Sequence, residues 1–357
     1  MKSPIAIIGA GGWGTALAIT MARDERSECK GAQSVSAVAR NIDQDTQPSN
    51  DIRLWAYEPY LVETLIATRE NPVYLPGVRV PDSVRVSNSM DETLRGARIV
   101  VIAVPSHVFR PVLLQALPML NADMVFVSAA KGIENETLMR MSEVAADVIG
   151  VRFTPRVGAI SGPTFAPEVG RGEPTALVVA SPDEQLRFYL QAELSAPRFR
   201  LYTNGDLVGV EVAAAVKNVI AIAAGVVDGL GLGSNATAAL ITRGLVEITR
   251  LALACGGKRE TLSGLAGLGD LVLTAYGSLS RNRRVGVALG QGKPIDEVLS
   301  NMRMVAEGVK TAKSTVALAR RHNVEMPIVE KMHSVLHEGL KPQDAINDLM
   351  ERKLKEE

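Results

Sequence analysis

Short apolar runs, helical patterns between them, and helical periodicity alone after about residue 206 together predict an α/β doubly wound sheet followed by an all-α C-terminal domain. The runs fall at 5–8, 52–57, 99–104, 124–129, 157–161, 175–180 and 199–202. Several are continuous rather than alternating, as strands covered on both faces require. Helical spacing fills 14–23, 59–69, 109–117 and 138–149 between them. Beyond residue 206 the clearest helices are 208–229, 236–255, 285–290, 295–300, 308–322, 327–338 and 342–351, and the charged tail 351–357 is expected to fray. The expected domains are therefore 1–206 and 207–357. A polar segment at 24–50 is long for a connection between helix and strand, and is expected to be a surface insertion.

A chain of 357 residues, 46% hydrophobic and 22% charged, can bury two cores. Lys plus Arg equals Asp plus Glu at 39 each, so no global positive field recruits nucleic acid or an anionic membrane. Any anionic ligand must be met locally. Cys29 and Cys255 are the two cysteines, far apart and without metal-ligand spacing, so a reducing compartment is expected, with neither a disulfide framework nor a metal. A strand-like run begins within a few residues of Met1 and leaves no room for a signal peptide, so a cytoplasmic location is expected. The most apolar long stretch, 210–233, carries Glu211, Lys217, Asn218 and Asp228, and reads as a buried core helix rather than a lipid-facing span.

The first run leads directly into Gly9-Ala-Gly11-Gly12-Trp13-Gly14 and a helix. This strand, Gly-x-Gly-x-x-Gly turn and helix form a dinucleotide fingerprint of Rossmann type. Gly9 permits the tight turn, Gly11 lets the backbone approach a pyrophosphate, and Gly14 lets the helix pack closely on the strand. A turn without a ligand is the bland alternative, and the missing Gly-Lys-Ser/Thr excludes an ATPase P-loop. The acid that reads the ribose stands at the end of the second strand in such folds. Glu58, beside Tyr57, fits that place, and it equally fits a plain helix start where an acid favours the dipole. The residues leave NAD against NADP open.

Lys217 lies in an almost unbroken apolar helical segment, where an ammonium is costly to desolvate. Desolvation lowers a lysine pKa, so Lys217 is the candidate general acid/base for an alcohol or ketone; a snorkelling or interface-paired lysine is the alternative. Asp270 closes the glycine-rich segment GLAGLGD, where it can reach into a cleft or cap a helix. Ser280-Arg281-Asn282-Arg283-Arg284 offers a guanidinium fork among hydroxyl and amide donors, which suits a phosphate, although arginine clusters are more often solvated surface. Lys131, Gly162 and Thr164 stand in loops after predicted strands, on the edge where such sheets bind ligands, or in ordinary turns. His107 follows another strand and is read as a cofactor-side or capping residue.

These segments, GAGGWGTALA, AVPSHVF, AAKGIE, ISGPTFAPEV, AVKNVIAIAAGVVDGLGLGSNATAALITRG, GLAGLGDLVLT, SRNRRVG and VAEGVKTA, resemble the bacterial-type NAD(P)-dependent glycerol-3-phosphate dehydrogenases along nearly the whole chain. The resemblance implies reduction of dihydroxyacetone phosphate to sn-glycerol 3-phosphate for phospholipid synthesis, with Lys217 as the catalytic lysine and no metal. It implies that Lys131, Gly162, Thr164, Asp270, Ser280, Arg281 and Asn282 surround the substrate. For NAD or NADP it implies Gly12, Trp13, Tyr57, Lys131, Ala166, Arg281, Val305 and Glu307. It is also compatible with a homodimer. The chain departs from the family pattern in the 24–50 insertion and in Tyr57, where many members carry a histidine. Both departures bear on the adenosine end. Two other readings compete: a different Rossmann dehydrogenase of a hydroxyacid or sugar acid, and a module that senses NAD(P) without turnover.

Overall fold

The computed structural model describes residues 3–22, 51–300, 302 and 306–353; the expected insertion at 24–50 and Val305 lie outside the described residues. Among the described residues there are ten strands: β1 Ile5–Ile8, β2 Ile52–Trp55, β3 Glu70–Asn71, β4 Leu75–Arg79, β5 Arg85–Ser87, β6 Ile99–Ile102, β7 Val125–Ser128, β8 Arg156–Ser161, β9 Thr175–Ala180 and β10 Phe199–Asn204. Among and after them run α1 Gly12–Ala22, α2 Pro59–Thr68, α3 Met90–Leu94, α4 Ser106–Ala116, α5 Met141–Gly150, α6 Ala166–Arg171 and α7 Glu184–Leu194. The helical half comprises α8 Leu207–Gly229, α9 Gly233–Ala254, α10 Arg259–Leu262, α11 Asp270–Tyr276, α12 Arg281–Gly290, α13 Ile295–Ser300, α14 Glu307–Arg321, α15 Pro327–His337 and α16 Pro342–Met350.

Eight strands form one sheet in the order β10-β9-β8-β7-β6-β1-β2-β5, parallel except where β9 runs against β8. β1 pairs with β2 on one side and β6 on the other, so the strand order reverses beside it. That crevice is where open α/β sheets bind ligands. Alternate residues of each central strand enter opposite cores: Ile5 and Ile7 join α1, whereas Ala6 and Ile8 join α4 and α5. The continuous apolar runs follow from this two-sided burial.

Three short strands escape the apolar pattern. β5 has three residues, and the β3–β4 hairpin, outside the main sheet, carries Pro76 and Gly77. Helices α6 and α7 are likewise absent from the sequence expectation, and α4 begins earlier than expected, at Ser106.

Helix α8 is the axis of the second half. It is long and apolar enough to cross a membrane, yet it is wholly buried inside the fold, which makes it a core helix apolar on every side. Two features fix it. Glu211 accepts hydrogen bonds from Ser142 N, Ser142 Oγ and Arg140 at 2.8, 2.5 and 2.6 Å, tying α8 to the start of α5. On another face, Gly225 and Gly229 meet Gly286 and Gly290 of α12 in close backbone contact. A Cβ on Gly225 would lie 2.1 Å from the Arg283 carbonyl, and one on Gly286 would lie 2.0 Å from that of Ile222. Gly225→Ala is therefore expected to cost about 1–3 kcal/mol of stability, read from the denaturant midpoint, because backbone cannot yield as a side chain does. A midpoint equal to wild type would show that α8 and α12 separate without penalty.

Candidate active site

Two loops from the carboxyl edge of the sheet and two helices meet at one carboxylate. Asp270 opens α11, buried to 1% exposure; its Oδ1 accepts Lys217 Nζ at 2.5 Å and its Oδ2 accepts Lys131 Nζ at 2.8 Å. Lys131, in the loop after β7, also donates to the Gly162 carbonyl at 3.1 Å and to Thr164 Oγ1 at 3.4 Å, in the loop after β8. Ser161 Oγ lies 3.5 Å from the same Asp270 oxygen. Lys131, Gly162, Thr164, Lys217 and Asp270 are thus one cluster, drawn from both halves of the chain.

Lys217 is 4% exposed, in the middle of α8. It does not snorkel: its ammonium donates to Asp270 and, at 2.7 Å, to Thr274 Oγ1, whose own hydroxyl donates to the Asp270 carbonyl at 2.6 Å. Burial lowers its pKa to about 7, the Asp270 charge opposes that shift, and the Lys131 charge adds to it.

A second layer orients the neighbours of this cluster. Asn282 donates to Asn218 Oδ1 at 3.0 Å, beside Lys217, and accepts Gly308 N at 3.0 Å, which fixes its amide. Glu307, opening α14, accepts Ser106 N at 3.2 Å and so bridges to the start of α4. Burial raises its pKa against that N–H and against the charges of Arg281, Lys131 and Lys217, which puts all three cations within its electrostatic reach. Arg281 is solvent-accessible yet surrounded by enough protein to lower its pKa, with the Glu307 charge opposing the shift and the Arg284 charge adding to it. Ser280 serves first as the N-cap of α12, its hydroxyl accepting Arg283 N at 3.2 Å. Arg283 pairs with Asp228 at 2.6 Å, and Arg284 is exposed.

The coenzyme side starts at the carboxyl end of β1. Gly9 has φ +113°, and a Cβ on Gly14 would lie 1.9 Å from the Gly9 carbonyl, so the turn and the close helix approach both require glycine. A Cβ on Gly11 would meet nothing within 4 Å, which leaves open space above the turn. The first intrahelical bond there is Thr15 N to Gly11 O at 2.9 Å, so the N–H groups of 11–14 find no acceptor among the described residues and can face an anion. The buried Trp13 Nε1 finds no acceptor among the described residues. Open space, free N–H groups and an orphaned donor fit a dinucleotide. A Cβ on Gly12 would sit 2.6 Å from the Tyr74 carbonyl and 3.6 Å from the Ala166 side chain, so Gly12 is also a packing glycine.

Tyr57 is 72% exposed, edge-on to Trp55 at 6.1 Å, and Glu58 accepts the Tyr74 hydroxyl at 3.1 Å. His107 is exposed in the first turn of α4, its pKa lowered by partial burial and by Lys310. Thr274, Ser161, Asn218 and Ser106 are site neighbours that the sequence reading missed. Thr274 alone left a signal, since it follows Asp270 by four residues and so shares a helix face with it.

Family models for the N-terminus and C-terminus of NAD-dependent glycerol-3-phosphate dehydrogenase match residues 4–187 and 206–347. The chain is 53% identical to glycerol-3-phosphate dehydrogenase [NAD(P)+] of Koribacter versatilis, covering 98% of this chain and 97% of that one. It is 49% identical to the protein of that name from Geobacter sulfurreducens, covering 100% and 99%. The crystal structure of glycerol-3-phosphate dehydrogenase from Coxiella burnetii superposes with a TM-score of 0.88 at 40% identity, covering 98% of this chain and 99% of that one. With both halves of the chain matched, the protein belongs to the NAD-dependent glycerol-3-phosphate dehydrogenase family.

Proposed function

We propose that the protein interconverts dihydroxyacetone phosphate and sn-glycerol 3-phosphate with NAD(H) or NADP(H), serving glycerophospholipid synthesis. The observation that carries this reading is the buried Lys217 ammonium, held by Asp270 and Thr274 in a protein of this family. When bound, reduced nicotinamide supplies the hydride that C2 of the substrate accepts. Two of the three Lys217 donors are engaged, which leaves the third for the substrate oxygen. A pKa of about 7 suits both roles: proton donor to the developing alkoxide in reduction, proton acceptor from the alcohol in oxidation. Asp270 keeps the ammonium from losing its proton more readily still, and holds Lys131 beside it.

Lys131, Lys217 and Arg281 outnumber the nearby carboxylates Asp270 and Glu307, which suits a phosphate dianion. Arg281, at the start of α12 and next to Asn282, is assigned to that phosphate, with Gly162, Thr164 and Ser280 lining the rest of the substrate site. Gly9, Gly11, Gly12, Trp13 and Gly14 would hold the pyrophosphate of the coenzyme. Ala166, beside Gly12 of that turn, together with Glu307 and Tyr57, would complete the coenzyme site.

Arg281→Lys keeps the charge and loses the planar fork, so a raised substrate KM with a smaller fall in kcat is expected. A charge-assisted hydrogen bond of about 1.5–3 kcal/mol corresponds to roughly a 10- to 150-fold loss in kcat/KM. Arg284→Lys is the matched control and should behave as wild type. Equal losses at both positions would put the phosphate elsewhere.

Coenzyme absorbance discriminates between the readings when followed with dihydroxyacetone phosphate and NADH or NADPH, with 6-phosphogluconate and the oxidised coenzymes, and without substrate. Turnover with dihydroxyacetone phosphate alone is expected. Turnover only with 6-phosphogluconate would indicate a sugar-acid dehydrogenase, and coenzyme binding without turnover a sensor.

A further inference from the structure

The β3–β4 hairpin stands outside the main sheet, yet its most buried polar side chain is fully committed. Asn71 is 0% exposed. Its amide nitrogen donates to the Ala10 carbonyl at 2.8 Å and to Thr15 Oγ1 at 2.9 Å, and its oxygen accepts Tyr74 N at 3.0 Å. Thr15 itself donates to Ala10 O at 3.2 Å. Ala10 lies inside the glycine-rich turn, and Thr15 donates the first intrahelical bond of α1, back to Gly11. Tyr74 completes the tie from the hairpin side. Its carbonyl packs against Gly12, and its hydroxyl donates to Glu58, the N-cap of α2. One amide therefore joins the turn, the first turn of the helix and the hairpin.

No apolar residue reproduces these bonds. The Tyr74 N–H would be left dry, the Ala10 carbonyl would keep only its longer bond from Thr15, and an aspartate would set oxygen against the Ala10 oxygen. A buried polar network that is fully satisfied fixes geometry, and here the geometry it fixes is that of a turn that must present its N–H groups to an anion.

We propose that Asn71 is a positioning residue for the coenzyme: by its three hydrogen bonds it holds the Gly9–Gly14 turn in the shape that receives the dinucleotide pyrophosphate. The proposal rests on the reading of that turn as the coenzyme site. Asn71 touches neither the reacting carbon nor Lys217 and acts through the backbone it braces, so its loss should weaken coenzyme binding and spare the chemistry.

The test is fluorescence titration of the full-length protein with NADH and with NADPH, for wild type, Asn71→Ser and Thr15→Val, alongside steady-state kinetics and amide hydrogen exchange. Asn71→Ser, which retains one of the three bonds at most, should raise the Kd of both coenzymes about tenfold or more. At saturating coenzyme, its kcat and its KM for dihydroxyacetone phosphate should stay within about threefold of wild type, since no transition-state contact is removed. Exchange should quicken across 9–15 and stay unchanged in α8. Thr15→Val removes one partner isosterically and should move the Kd the same way by about threefold, which keeps the proposal testable if Asn71→Ser does not fold. Unchanged Kd values with a lowered Tm in either variant would overturn the proposal and make Asn71 a fold residue only. Failure of wild type to bind either coenzyme would overturn the reading of the turn and the proposal with it.

Discussion

Replacing Lys217 with methionine is expected to lower the turnover of dihydroxyacetone phosphate at least about 100-fold, the lower end for a positioned acid/base, while coenzyme Kd stays near wild type. Methionine matches the stem of lysine and suits the apolar interior of α8, so the helix keeps its packing. What is lost is the ammonium between Asp270 and Thr274. Asp270 keeps Lys131 as a partner, so its carboxylate is not left buried and unpaired. Stopped-flow reduction at saturating NADH checks the chemical step directly. Near-normal turnover in a folded variant would reassign the proton to Lys131 or to a water.

Asp270→Asn is the second large effect, and it has a signature that mere damage would not produce. The Asp270 charge raises the Lys217 pKa against burial and against Lys131; without it the pKa falls below its value of about 7. The ammonium is then scarce at neutral pH. Ketone reduction, which needs the protonated form, should lose at least about tenfold at pH 7, with its pH profile displaced to lower pH. Breaking a buried pair from one side costs about 3–5 kcal/mol, so the Tm should fall as well. A lowered Tm with an unmoved pH profile would make Asp270 structural and remove it from the account of Lys217.

How much of this was readable in the sequence depended on whether the signal was local. The glycine turn was legible because strand, turn and helix follow one another directly, and its tight bend at Gly9 and close helix approach at Gly14 are present in the fold. Lys217 was legible because a cation in the middle of an apolar helical segment is conspicuous. Its pairing with Asp270 was not: the two are 53 residues apart and meet only through the fold, as do Asp270 and Lys131, 139 residues apart. Thr274 was not legible because α11 is absent from the helices that apolar spacing predicts, and only with that helix in place do Asp270 and Thr274 share a face. Ser280 was read for its hydroxyl alone, without the capping bond to Arg283. Asn71 left no periodic signal at all, since a two-residue strand shows no alternation.

The pH dependence of kcat/KM in both directions tests the central claim, that one desolvated lysine moves the proton. With coenzyme saturating, reduction should decline above a pKa of about 7, where the Lys217 ammonium is lost, and oxidation should rise through the same value, where the free amine is gained. The substrate phosphate also titrates, near pH 6, so the limb must be shown to belong to the protein: it should move to lower pH in Asp270→Asn, which a substrate limb would not do. Limbs of the same sign in both directions, or a limb that stays put in Asp270→Asn, would contradict the assignment of proton transfer to Lys217.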